Sequence, residues 1–218
     1  MIPGGSSSLL LAGVTPGTVT YDIAGSNNFT VPDFNTLVVE MWGPGGGSGG
    51  AGPSVGNNGT DGTATTFNGL SAGGGLHGNG QAGTGQGASG NGGTASGGDI
   101  NTNGIAGTTT STTSTGHGAP VDGGGDVTSD HTAGPGGQGG KPGTTPGGGA
   151  SGAAWNGASF PVAGASGTGA YVKKTYVTGQ LNVGSIIAAI VGTQGVGGYG
   201  NALSGNTGGP GKIVITWS

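Results

Sequence analysis

Cysteine is absent from the 218-residue chain, and with it go disulfide staples, zinc–thiolate clusters and thiol nucleophiles. Arginine is absent as well, and the only basic side chains besides histidine are four lysines. Nucleic acid is held largely through phosphate contacts from Lys and Arg, so a chain of formal net charge −4 is not expected to bind it. Long apolar runs are missing too. None approaches the ~20 residues of a spanning helix, so membrane insertion is not expected. The apolar run at 9–12 is too short, and too poor in basic flanking charge, for a signal peptide. Charged residues make up 6% and aromatics 5%, against about 25% charged residues in ordinary domains. The single glutamate, Glu40, and the scattered His77, His117 and His131 give no paired carboxylates and no nucleophile–base order. Neither catalysis nor a cofactor is expected.

What the chain has instead is glycine, 61 residues of it, about four times the usual share of ~7%. Glycine brings no side chain to do chemistry with, so the excess answers a backbone requirement. Each glycine costs ~1 kcal/mol in a helix relative to alanine, and the Val, Ile, Thr and Tyr outside the glycine tracts favour strands. The expected class is therefore all-β with essentially no helix.

Apolar residues gather at the two ends. Residues 14–21, Phe29 with Val31, and 37–42 read as strands, with Asn27-Asn28 and Pro32-Asp33 as turns. In LVVEMW, Leu37, Val39 and Met41 share one face and Val38, Glu40 and Trp42 the other. Near the other end, strands are expected over 171–178 and 186–191, separated by a turn at Gly179-Gln180, and a closing strand over 212–217. This predicts a small antiparallel β-sandwich from 14–42 plus 169–218. Residues 1–13 are left as an N-terminal arm, and 43–168 as a large glycine-rich insertion holding 44 of the glycines.

Within the insertion Gly43, Gly46, Gly49 and Gly52 fall every third residue, as do Gly56, Gly59 and Gly62, and later Gly134, Gly137, Gly140 and Gly143. A three-residue period is that of a polyproline-II-like helix, which has no internal hydrogen bonds. Its amides and carbonyls must then pair with neighbouring segments. Bundled threads of this kind, a polyglycine-II arrangement, would place glycine at each close backbone approach and Asn, Thr, Ser and Gln outside. The alternative is a flexible Gly/Ser linker, which the length argues against.

The chemical motifs are weak. Gly78, Gly80 and Gly83 match G-x-G-x-x-G but lack the strand, helix and acidic residue of a dinucleotide site. Lys141 follows glycines but precedes Pro142 rather than Ser or Thr, so it marks no phosphate loop. Asp122, Asp126, Asp130 and His131 form the densest charged cluster, whose carboxylates could offer oxygen ligands, yet the spacing fits no calcium motif, and no metal is assigned. The run TTTSTTST at 108–115 reads as a β-prone edge or hydroxyl patch at a loop apex. Trp155 and Phe160 lie where no strand is demanded, divided between packing and ligand contact.

Three stretches, FTVPDFNTLVVEMWGPGGGSGG, AYVKKTYVTGQLNVGSIIAAIVGTQGVGG and GGPGKIVITWS, together resemble the glycine-rich domain of tailed-bacteriophage tail-fibre and related virion proteins, over residues 18–218. The insertion is also similar to the polyglycine-II bundles of phage fibre-tip adhesins. The resemblance implies a virion-surface receptor-binding protein that recognises a host glycan or outer-membrane protein. Its contact loops would lie around Asn57, Asn91, Asn101 to Asn103, Thr108 to Thr115 (with Thr110 and Thr113) and Asp122 to Asp130. Weak polar contacts of ~1 kcal/mol each need several copies acting together, so a homo-oligomer is expected, three-fold for preference, alongside other virion proteins. The other reading is a capsid-decoration, head-fibre or tail-assembly protein whose arm, with Leu9, Leu10 and Leu11, docks on a neighbouring subunit. An ice- or surface-binding protein on the same frame would need a flat, regular face.

Overall fold

The structure, a computed structural model, describes residues 13–110, 112–118, 129–133, 139–155 and 161–218. It is all-β, with no helix among the described residues. In chain order the strands are β1 (Gly17–Tyr21), β2 (Gly25–Thr30), β3 (Thr36–Trp42), β4 (Ala51–Gly52), β5 (Thr65–Phe67), β6 (Leu70–Ala72), β7 (Gln81–Ala82) and β8 (Ala95–Ser96). They continue with β9 (Ile100–Thr102), β10 (Thr108–Thr109), β11 (Ser114–His117), β12 (Ser129–Ala133), β13 (Tyr171–Val177), β14 (Ile186–Val191) and β15 (Lys212–Trp217).

Two five-stranded antiparallel sheets, ordered β1-β15-β3-β13-β9 and β2-β14-β5-β6-β8, pack against each other in a manner consistent with a β-sandwich. Strand alternation explains the core. On β3, Leu37, Val39 and Met41 are fully buried while the residues between them are half-buried. Ile213 and Ile215 of β15 do the same one strand over. They meet Phe29 from β2, Phe67 and Leu70 from β5 and β6, and Ala189 and Val191 from β14. Phe29 lies edge-on to Phe67 at 5.9 Å and to Trp217 at 6.1 Å. Each such aliphatic or aromatic side chain contributes about 1.5–3 kcal/mol by leaving water.

One local expectation is corrected. Asn27 and Asn28 form no turn; they lie inside β2, opposite Ala189 and Ala188 of β14. Burial of Phe29 fixes that strand's register, and the reversal falls earlier, at Asp22–Ala24 before Gly25.

The glycine-rich chain does not leave the sandwich as a separate excursion. β5, β6, β8 and β9 arise within residues 43–168 and belong to the two sheets. At one end, β3 runs directly into 43–51 and β14 into 192–200, while 161–170 leads into β13 and 203–211 into β15. What changes at these junctions is the hydrogen bonding. From Gly45 to Ala51, seven consecutive amides donate to other segments at 2.8–3.1 Å, and donors three residues apart go to the same neighbour. Gly43, Gly46 and Gly49 donate to Ala170, Gly167 and Gly164; Gly45, Ser48 and Ala51 to Gly209, Asn206 and Leu203; Gly47 and Gly50 to Thr60 and Asn57. On the acceptor side, Pro44, Gly47 and Gly50 receive Gly75, Gly78 and Gln81, Gly45 and Ser48 receive Gly195 and Gly198, and Gly49 receives Ala153. A strand has neighbours on two sides only. This segment is bonded to six stretches of chain, and the body it anchors is held by backbone pairing rather than an apolar core.

An acidic side chain ties the β9 edge to β13. Asp99, just before β9, accepts from Lys174 Nζ at 2.6 Å and from the Thr175 amide at 2.8 Å. The Lys174 hydrogen bond, then the Thr175 amide, hold the Asp99 carboxyl below its ordinary 3.8, and Asp99 raises Lys174 above 10.5. A depressed carboxyl favours the folded state at neutral pH and loses that contribution as pH falls through its folded value; a raised lysine loses its own as pH climbs through its folded value. The pair should therefore leave stability flat between about pH 5 and 10 and weaken the β9 edge outside that window. Melting curves of Asp99→Asn across pH should lack the acid-side decline at this edge; an unchanged decline would remove the pair from the account.

Candidate functional site

The asparagines and threonines expected in contact loops are only partly free to bind anything. Asn101 lies in β9, and its side chain is closed onto the backbone of Gly98, accepting from its amide at 3.0 Å and donating to its carbonyl at 2.8 Å. Asn103 Oδ1 accepts the Ala95 amide at 2.9 Å. Both serve as backbone caps, the role short amide side chains fill wherever a main-chain donor lacks a ladder partner.

The described residues of the threonine run pair as a hairpin. Thr108 and Thr109 of β10 pair with Thr115 and Ser114 of β11, and Thr110 and Thr113 close the apex with hydroxyls 2.8 Å apart. Ser114 is buried, its Oγ accepting from Gly152, while Thr109 Oγ1 accepts the Ala165 amide. The apex is exposed and the root of the hairpin is built into the glycine-rich body. Thr108 Oγ1 sits 3.1 Å from His117 Nε2 across the same hairpin.

Asn91 is exposed on the segment that bonds residues 104–107 through Gly93 and Gly90, so Asn91, Asn103 and the threonine apex share one margin of the molecule. Asn57 is elsewhere, its amide donating to Tyr199. Trp155 is half-buried, its amide donating to the Pro161 carbonyl. Asp122, Asp126, Phe160, Leu9, Leu10 and Leu11 lie outside the described residues. So do the side chains of Asp130 and His131. Among the described residues no three acidic or imidazole groups come together to hold a metal ion.

Sequence reasoning named Asn57 but overlooked the ridge beside it. The stretch TQGVGGYGN places Thr193, Val196 and Tyr199 three apart, and Asn57, Thr60 and Thr63 run beside them at the same interval. The amides of Asn57, Thr60 and Thr63 donate to the carbonyls of Tyr199, Val196 and Thr193. In return the Thr60 and Thr63 hydroxyls accept from the Val196 and Thr193 amides at 2.8 Å. Tyr199 is 60% and Val196 59% exposed, although the carbonyls of both are engaged in these bonds. The intervals of three were visible in the sequence; which of three faces they occupy was not.

Close by, Asp61 Oδ1 accepts both the amide and Nδ1 of His77, the latter at 2.6 Å. Burial works to raise the Asp61 pKa, but the His77 hydrogen bonds and charge together hold it below the usual carboxylate value. Its charge is therefore turned toward His77 and fixed.

A second exposed feature lies on the sandwich. On the outer face of β14, Ile186, Ala188 and Ile190 form an apolar stripe over an open groove edged by Thr66, Asn68 and Ser71. Compared with known proteins, the chain matches no protein-family model, no curated protein and no solved structure.

Proposed function

We propose that the chain is a surface protein of a tailed-phage virion, a fibre-tip or receptor-binding adhesin that recognises the host cell surface through uncharged polar contacts. The observation that carries this reading is the three-residue hydrogen-bond period through Gly43–Ala51. It supports a polyglycine-II-type bundle, in which backbones bond in three directions and every third side chain projects outward. Such a frame is stiff without a hydrophobic core and needs no charge. The sequence resemblance to glycine-rich phage tail-fibre domains points the same way.

On this reading attachment is adhesion without bond making. Single hydrogen bonds give only ~1 kcal/mol net, so useful binding comes from several copies on one particle, a homo-oligomer and in the simplest case a trimer. The ligand is a host glycan or outer-membrane protein. Purified, labelled full-length protein should decorate cells of a susceptible bacterium and slow phage adsorption to them. Failure to decorate cells, with specific binding to emptied capsids, would overturn the adhesin in favour of a capsid-decoration, head-fibre or tail-assembly role. The stripe of Ile186, Ala188 and Ile190 favours that second role, since an uncharged apolar sheet face suits mounting on a neighbouring virion subunit.

A further inference from the structure

The adhesin reading leaves open which surface meets the host and what chemistry it takes. We propose that a neutral, extended glycan lies along the ridge Thr193–Val196–Tyr199, with sugar faces on Tyr199 and Val196 and hydroxyl edges against the polar ridges on either side. This inference rests on the adhesin reading and keeps, of the asparagine and threonine loops, only the one around Asn57 in the contact surface.

The ridge is apolar where its surroundings are not. Tyr199 and Val196 are more than half exposed, and Val55, also exposed, adjoins their end through paired bonds with Asn201. One flank is the 57–63 segment already described. The other is 203–208, bonded through Gly205 to Gly198 and Gly208 to Gly195, which brings Ser204 and Thr207 alongside. An apolar spine between two hydroxyl- and amide-bearing rows matches a pyranose, whose C–H faces stack on aromatic rings while its hydroxyls hydrogen-bond at the edges.

The spine is also fixed before any ligand arrives. A Cβ on Gly198 would overlap the Asn57 carbonyl, and one on Gly200 the carbonyls of Leu203 and Ala51. Tyr199 thus stands on backbone that cannot shift sideways, and little ordering cost is left for binding. A ridge one side chain wide suits a chain-like ligand better than a folded protein, whose stable interfaces bury about 800 Å² per partner. Charge decides the rest. The three ridges carry one charged side chain, Asp61, and no lysine; an anionic sugar would find no counter-charge there, so the glycan is neutral.

The test titrates the full-length chain with cellohexaose, maltohexaose and an oligogalacturonate, following calorimetric heat and backbone amide shifts. A neutral hexasaccharide should bind and shift the 193–199 amides, and the anionic oligomer should not. Tyr199→Ala should weaken binding by about tenfold with the melting temperature unchanged, because the ring is exposed and the backbone bonds do not involve it. Asn103→Ala should bind as the parent does. Absence of binding by both neutral sugars, or unaltered affinity in Tyr199→Ala, overturns the proposal. So does a change of oligomeric state in that variant, which would mean a second copy covers the ridge. Cell decoration separates the two levels: parent and Tyr199→Ala proteins coating cells equally would leave the adhesin standing and remove the ridge, whereas an uncoated cell surface would remove the adhesin.

Discussion

Gly46→Ala is expected to destabilise the protein by about 3 kcal/mol or more, while Gly139→Ala is expected to be neutral or to stabilise it by up to ~1 kcal/mol. Both glycines lie in the glycine-rich chain, and composition does not distinguish them. The geometry does. A methyl group on Gly46 would overlap the Leu76 carbonyl oxygen and press on Gly75 as well. These are backbone atoms held in their own ladders, Leu76 donating to Asn91 and accepting from Gly167, so no flexible side-chain end can swing away. Relief requires segment 43–51 to move off its neighbours, breaking bonds of ~1 kcal/mol each in several directions at once. At Gly139 the nearest atom to an added Cβ is the Ser204 carbonyl oxygen at 3.7 Å, an ordinary contact. There the dominant effect is the reduced freedom of the unfolded chain. For a chain of this size 3 kcal/mol is about 6–12 °C of melting temperature. Equal melting temperatures for the two variants would show that the glycine excess reflects flexibility rather than close packing.

The same contrast separates what the sequence discloses from what it conceals. Leu37, Val39 and Met41, with Ile213 and Ile215, announce buried faces because strand alternation has period two and their runs are long enough to display it. β5, β6 and β9 have three residues each and β8 two, too short for any period to register. One local signal was nevertheless present: Phe67-Asn68-Gly69-Leu70 is an Asn-Gly pair between apolar residues. Its φ values of 44° at Asn68 and 79° at Gly69 are those of a tight hairpin turn joining β5 to β6. The three-residue glycine period was visible too. What it cannot say is which segments are neighbours, because glycine carries no side chain by which one thread could be told from another.

The candidate contact residues fail to read out for a related reason. An asparagine beside glycine looks like an exposed recognition amide, yet Asn101 and Asn103 cap main-chain donors left without a ladder partner, at Gly98 in the turn before β9 and at Ala95 in the edge strand β8. Asn58 Oδ1 does the same for Gly80, and Asp61 for His77. Val196 and Tyr199 instead project exposed side chains from backbone whose carbonyls accept the Thr60 and Asn57 amides. That arrangement depends on spatial neighbours far away in the chain, such as Asn57, 142 residues before Tyr199.

Hydrogen exchange should give the other large effect. The amides of Gly45, Gly46, Gly47, Ser48, Gly49, Gly50 and Ala51 are expected to exchange on the order of 10³-fold or more below the free-chain rate, as slowly as Val39 and Met41 in the sandwich. The exposed turn at Gly179 should exchange quickly. A linker of this composition would show no protection, and a lone strand would protect only alternate amides, those facing its partner. Seven consecutive slow amides are the signature of donors distributed among three neighbouring segments, because no direction around the thread faces water. The protection should also be lost cooperatively. Segment 43–51 is covalently continuous with β3, and its partners 164–170 and 203–209 continue into β13 and β15, so opening the glycine-rich body pulls on the strands that close the apolar core. Its amides should therefore share the denaturant dependence of those in β3. Fast exchange at alternate positions, or a separate and earlier transition for 45–51, would mean that the glycine-rich chain is not the rigid frame on which the adhesin reading depends.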